Sequence, residues 1–375
     1  MSARRIRAAI IRGGTSKGVF LHAADLPRDP AARDRLILAI FGSPDPRQIN
    51  GLGGADPTTS KVAIIAPSAR PDADVDYTIG YVGVDKAVVD YHGNCGNISL
   101  GVGPFAIDEG LVTAAAPVTR VRIFNTNTGK IIEAEVPVRD GRAVTEGDYV
   151  IDGAPGSGAQ IVLNFVNSAG SKTGKLLPTG ATVDVMRLSD GRTVRCSLVD
   201  AANPAVFVQA AELGLKGTEM PADAAADPRI LAVMEEVRVQ AAVMMKLAAG
   251  AGDVSPAVPK VAIVAPPESY ATISGRTVAA SDCDLAARTK SLDVMHKAYA
   301  ITGGICLSAA ARIEGTVVHE IAKAAGPDGV VRIGHPSGVS KFIVKVTKSG
   351  SGEFNLVKAA TAGTARRIMD GFVYV

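Results

Sequence analysis

Apolar and polar residues change rhythm repeatedly along this chain, and each change marks an element. Residues 6–11 are largely β-branched and predict a strand that enters a glycine-rich turn, residues 12–18, and returns through 19–21. Asp29 followed by Pro30 predicts a helix start, and Gly42 with Pro44 predicts its end after residue 41. A second glycine-rich loop, residues 50–60, delivers Lys61 to an apolar strand over 62–66. Residues 74–82 and 86–91 alternate like paired strands. A small-residue apolar run over 98–107 follows Gly93-Asn94-Cys95-Gly96-Asn97 and predicts a buried helix with Asn94 as its N-cap. Strands are predicted over 120–124 and 130–136, separated by Asn127-Thr128-Gly129.

The second half repeats this order loosely. Strands are predicted around 183–186 and 206–208, and Asp227-Pro228 opens an amphipathic helix through 246. A strand over 260–264 follows. Thr302-Gly303-Gly304 then leads into a small apolar helix over 305–313, and strands over 330–333 and 342–346 close the pattern. Each half thus combines mixed strands with one small-residue helix entered through glycines. This predicts an α+β protein of two similar domains, residues 1–184 and 185–375.

Length and composition narrow the function. A chain of 375 residues exceeds one ordinary core, and 47% apolar residues can fill two. Charged residues are 21% and the net charge is +3, which gives no electrostatic case for nucleic acid or a membrane surface. Aromatics are 4% with no Trp, so base-stacking platforms are not expected. The apolar stretch 298–311 is too short to span a bilayer, and the opening MSARRIRAAIIRGG lacks a secretory apolar run. A reduced, cytoplasmic setting is the expectation. No C-x-x-C occurs among the four cysteines, and His22, His92 and His319 show no ligand spacing, so no metal is expected. No Walker A or G-x-G-x-x-G fingerprint opens a helix, so no nucleotide cofactor is expected either.

Cys95 carries the sharpest chemical signal. It lies among asparagines and glycines at a predicted helix N-terminus, where the dipole and free N–H groups favour negative charge on a thiol or a bound carboxylate. A buried inert cysteine is the competing interpretation. Lys61, taken alone, fits an exposed lysine that guards a strand edge; drawn into a cleft it could act as a base. The turn Arg12 to Gly18, with Thr15, Ser16 and Lys17, is either an anion nest or a plain tight turn. His296 and the Gly334-His335-Pro336-Ser337-Gly338 turn are candidates for supporting roles only.

RGGTSKG, GSPDPRQINGLGGADPTTSK, NCGN before a small-residue helix, LPTG at 177–180 and GHPSG, in that order, resemble the PrpF family over about 5–375. That resemblance implies a diaminopimelate epimerase-like fold, with strands wrapped around a central helix in each domain and the active site between domains. It implies isomerisation or tautomerisation of an unsaturated di- or tricarboxylic acid, such as 2-methylaconitate, aconitate, 4-oxalomesaconate or methylitaconate, without cofactor or metal, and admits a homodimer. The family's catalytic lysine falls on Lys61 and its catalytic cysteine on Cys95. The substrate-binding set that follows is Thr15, Ser16, Lys17, Asn94, Gly96, Asn97, His296, Thr302, Gly303 and Ser337. Two-base epimerases of this fold place a cysteine at the entrance of both central helices. Here the second entrance offers Thr302 or Gly303, while Cys306 lies inside the apolar run, which disfavours a symmetrical racemase. A non-catalytic binding protein that kept the fold is the other alternative; it would need neither Lys61 nor Cys95. GGADPTTSKVAII and NCGNISLGVGPFAI are similar to the oxalomesaconate branch, PKVAIVAPPESYA and KSLDVMHKAYAITGG to the methylaconitate branch.

Overall fold

The structure is a computed structural model that describes residues 4–291, 293–322 and 329–375. The chain forms two compact units, residues 1–164 with 362–375, and residues 165–361. The division therefore differs from a single cut near residue 184. The reason is long-range pairing: the C-terminal strand Ala365–Tyr374 adds antiparallel to the first strand, Arg5 opposite Tyr374, so the last residues belong with the N-terminal unit.

In the first unit β1 (Arg5–Gly13) and β2 (Ser16–His22) form a hairpin with Gly13 opposite Ser16. Its two turn residues are Gly14 and Thr15, and Gly14 takes the positive φ of 52° that glycine allows without strain. Helix α1 (Pro30–Phe41) starts as the sequence predicts: the Asp29 carboxylate accepts the Ala32 N–H at 2.7 Å, and Gly42 ends the helix in the left-handed region. Next come β3 (Lys61–Pro67), β4 (Val75–Val82), α2 (Gly96–Asp108), β5 (Val118–Asn125) and β6 (Lys130–Arg139). Strand β2 pairs parallel with β3, β3 antiparallel with β4, β4 parallel with β5, and β5 antiparallel with β6. The expected strand over 86–91 shrinks to Val89–Asp90, opposite Val82 and Tyr81.

The second unit repeats that alternation. Its elements are β7 (Thr193–Ala201), β8 (Asn203–Gln209), α3 (Pro228–Met244), β9 (Lys260–Ala265), β10 (Leu285–Ser291), α4 (Ile301–Arg312), β11 (Val330–His335) and β12 (Gly338–Lys348). The pairings run antiparallel, parallel, antiparallel, parallel, antiparallel, as in the first unit. In both units a long helix lies between the second and third of these strands, preceded in the second unit by a short helix, Pro221–Ala226, and the small-residue helix lies between the fourth and fifth.

Those two inner helices are buried on every side, which explains their lack of a polar face. Small residues let strands approach them. A Cβ at Gly101 would meet Phe20 at 2.8 Å and Ile11 at 2.9 Å, and one at Gly103 would meet Val136 at 2.7 Å. Among the described residues no helix is long and apolar enough to cross a membrane.

Candidate active site

Three pieces of the first unit converge. Strand β3 begins at Lys61 and lies between β2 and β4, so its first side chain is held by neighbours on both sides. Lys61 is 5% exposed, which rules out a solvent-facing edge lysine. Its Nζ donates to Ser16 Oγ at 3.0 Å and stands 3.5 Å from Cys95 Sγ. Among the described residues no carboxylate pairs with this amine. Its hydrogen-bonding contacts are a hydroxyl and a thiol rather than a carboxylate, so it lacks the ion pair that repays burial of a charged group.

Cys95 is also 5% exposed, and its thiol faces the Lys61 amine. It is itself the N-cap of α2, in extended conformation, in place of the expected Asn94. The reason is tertiary. The Asn94 side-chain oxygen accepts from Asn125 Nδ2 at 3.1 Å, and its carbonyl accepts from the Tyr81 hydroxyl at 2.8 Å. The Cys95 carbonyl accepts the Ser99 N–H and the Ser99 hydroxyl, each at 3.0 Å, and lies 3.5 Å from the Tyr77 hydroxyl. The thiol thus sits at the positive end of a buried helix.

The turn between β1 and β2 resolves as a tight turn with its amides engaged. Gly14 N–H donates to the Thr364 carbonyl, Thr15 N–H to Asn97 Oδ1 at 3.3 Å, and Lys17 N–H to the Thr58 carbonyl. Asn97 Nδ2 returns a bond to Thr15 Oγ1 at 3.1 Å. Gly13 and Gly14 are required here, since a Cβ on either would fall about 2 Å from Asn97 atoms. Of the predicted residues, Ser16 bonds Lys61 directly, Asn94 and Gly96 flank Cys95 in the chain, and Thr15 and Asn97 are bonded to each other at the adjoining turn. The Lys17 Nζ lies beside the second glycine-rich loop, 3.4 Å from where a Gly54 Cβ would stand.

The remaining predicted residues lie in the second unit. His296 Nδ1 accepts the Ala298 N–H at 2.9 Å, and the Ser337 hydroxyl donates to the Lys297 carbonyl, so the two turns before α4 and after β11 are tied together. Thr302 and Gly303 are not an entrance loop. Gly304 N–H already bonds the Ala300 carbonyl at 2.8 Å, which makes Ala300 the N-cap and puts both residues in the first helical turn. The position equivalent to Cys95 is thus an alanine. Cys306 is fully buried and donates to the Val199 carbonyl at 3.3 Å; burial pushes its thiol well up. Sequence reasoning did not single out Tyr77, Tyr81, Ser99 or Asn125. The two tyrosines stand four apart in an alternating strand and so share a face, the one signal that could have found them. Among the described residues no cluster of His, Cys, Asp and Glu could hold a metal ion.

Comparison with known proteins fits this geometry. The family model described as PrpF protein matches residues 3–375. The chain is 52% identical to a 3-methylitaconate isomerase of Eubacterium barkeri, covering 99% of this chain and 97% of that one. It is 40% identical to a 2-methyl-aconitate isomerase of Shewanella oneidensis, with coverage of 99% and 97%. It is 41% identical to a (4E)-oxalomesaconate Delta-isomerase of Novosphingobium sp., with coverage of 97% and 96%. A crystal structure of methylitaconate-delta-isomerase superposes with TM-score 0.82 at 50% identity, covering 100% and 96%. A hydroxyproline epimerase from Agrobacterium vitis shares the fold at TM-score 0.58 and 15% identity, over 99% and 93%. The epimerase-like α+β fold and the full-length identity to named isomerases make this chain an isomerase of the PrpF family.

Proposed function

We propose that this isomerase shifts a carbon–carbon double bond in a small unsaturated di- or tricarboxylic acid, without cofactor or metal, using Lys61 and Cys95 as its proton-transfer pair. The observation that carries the reading is the 3.5 Å contact between Lys61 Nζ and Cys95 Sγ, both buried. Neutral Lys61 takes the proton from the carbon next to the double bond. The electron pair spreads into a dienolate, and the Cys95 thiol returns a proton at the far end of the allylic system. Lys61 is then an ammonium and Cys95 a thiolate, and a proton passing directly from Nζ to Sγ across that contact resets both groups. The same steps in reverse interchange the two roles. Thr15, Ser16, Lys17, Asn94, Gly96 and Asn97 are proposed to bind and orient the carboxylates; the N-terminus of α2 favours that charge.

Within this class a methylitaconate-type dicarboxylate is the first substrate to test, supported by the 52% identity. A symmetrical two-cysteine racemase is disfavoured by Ala300 at the second N-cap and by the inert setting of Cys306. A cytoplasmic location, where its four free thiols would stay reduced, and assembly as a homodimer belong to the same proposal. The test is an ultraviolet assay on methylitaconate, 2-methylaconitate, 4-oxalomesaconate and aconitate, since moving the double bond changes conjugation. Turnover of at least one acid that survives exhaustive chelation is expected. No turnover on any of them, or activity restored only by an added metal, would overturn the reading.

A further inference from the structure

The mechanism leaves one polar side chain at the pair without a role. Tyr81 lies directly opposite Lys61 in the β3–β4 ladder. Its ring is 5.3 Å from the Lys61 ammonium nitrogen, within the range of a cation–aromatic contact. Its hydroxyl donates to the Asn94 carbonyl at 2.8 Å, one residue before Cys95, and is in hydrogen-bonding reach of the Cys95 side chain. One side chain thus bears on both partners, the amine through its ring and the residue before the thiol through its hydroxyl. Tyr77, four residues earlier on the same face, reaches the Cys95 carbonyl at 3.5 Å.

We propose that Tyr81 is a positioning residue for proton transfer: its hydroxyl fixes the turn that aims Cys95, and its aromatic face holds the Lys61 amine against the thiol. Burial and the neighbouring Cys95 keep the phenol above its ordinary range, so it stays protonated and remains a donor to Asn94 throughout turnover. The inference rests on Lys61 and Cys95 being the reacting pair. It differs from a packing role because the loss falls on kcat, with KM unchanged and the fold kept. Losing the hydroxyl frees the turn and costs rate. Losing the ring as well removes the contact that holds the amine and costs more.

The test compares Tyr81→Phe, Tyr81→Leu and Lys61→Ala with the unaltered enzyme, measuring kcat and KM, with circular dichroism as the folding control. Tyr81→Phe is expected to lower kcat roughly tenfold with KM unchanged. Tyr81→Leu is expected to lower kcat further, again with KM unchanged. Tyr81→Phe at full kcat, or a folded Tyr81→Leu no slower than Tyr81→Phe, overturns the proposal. If Tyr81→Leu does not fold, the kcat of Tyr81→Phe decides. Lys61→Ala separates the two levels: if it keeps its activity the pair itself is wrong, whereas an inactive Lys61→Ala beside a fully active Tyr81→Phe refutes Tyr81 alone.

Discussion

Replacing Lys61 by methionine should abolish activity without weakening the fold. Methionine keeps the unbranched shape of the lysine stem and removes only the amine. That amine is 5% exposed and is held by Ser16 Oγ at 3.0 Å and Cys95 Sγ at 3.5 Å. Loss of a general base costs about 10²–10⁴ in rate, which is about 2.7–5.4 kcal/mol at about 1.36 kcal/mol per tenfold. The opposite sign is expected for stability. With no carboxylate partner among the described residues, the buried amine contributes desolvation cost rather than a strong ion pair. Its removal should be neutral or stabilising by about 1 kcal/mol, a melting temperature unchanged or raised by about 2–4 °C. Exchange of substrate hydrogen in deuterated buffer, followed by proton NMR, reads the first step directly, and thermal denaturation by circular dichroism reads the fold. Exchange at near the normal rate would refute the base assignment. A melting temperature lowered by about 5 °C or more would show Lys61 to be structural.

Cys95→Ser should lose most turnover yet keep some exchange, because the first proton transfer survives; exchange lost with Cys95→Ser but kept in the lysine variant would reverse the two roles. Alkylation of Cys95 should slow when the substrate polycarboxylate is present, while Cys306, buried and bonded to the Val199 carbonyl, and Cys196, its thiol pushed up by burial to about 12, should react poorly until the protein unfolds; mass spectrometry of labelled peptides checks this. Gly304→Ala should destabilise the second unit by roughly 1–3 kcal/mol, since the new Cβ would fall 2.1 Å from the Phe342 ring; a denaturant midpoint equal to wild type would contradict that packing. His335 is buried, accepts the Ser337 N–H, and is held near a pKa of about 3 by burial and by the Arg288 and His296 charges. The unfolded chain therefore binds a proton that the folded one refuses, so the contribution of neutral His335 is full above about pH 6.5 and is lost as pH falls toward about 3. His335→Asn, which keeps an acceptor for Ser337, should flatten the stability-against-pH curve in that window; an unchanged slope would refute it.

The sequence by itself determined what depends on near neighbours. Asp29, Pro30 and Gly42 bound α1 because capping needs only residues three or four apart. The switch from alternating to small apolar runs located both inner helices, and Cys95 among asparagines and glycines stood out for the same reason, whereas Lys61 taken alone fitted an edge lysine and gained its role only through the family resemblance. Tertiary structure decided what depends on distant ones. The Lys61–Cys95 contact joins residues 34 apart, and its distance is set by the β2–β3–β4 register together with the docking of α2. Asn94 has the better capping chemistry, yet Asn125 and Tyr81 occupy its polar groups and pass the cap to Cys95. The second inner helix starts at Ile301 rather than near residue 305 because the Gly304 N–H bonds the Ala300 carbonyl and makes Ala300 its cap. The boundary near residue 184 could not anticipate a C-terminal strand pairing with β1 across almost the whole chain. Local pattern fixes which face an element buries; which side chains then meet across that buried face depends on register and packing, which no window of neighbouring residues contains.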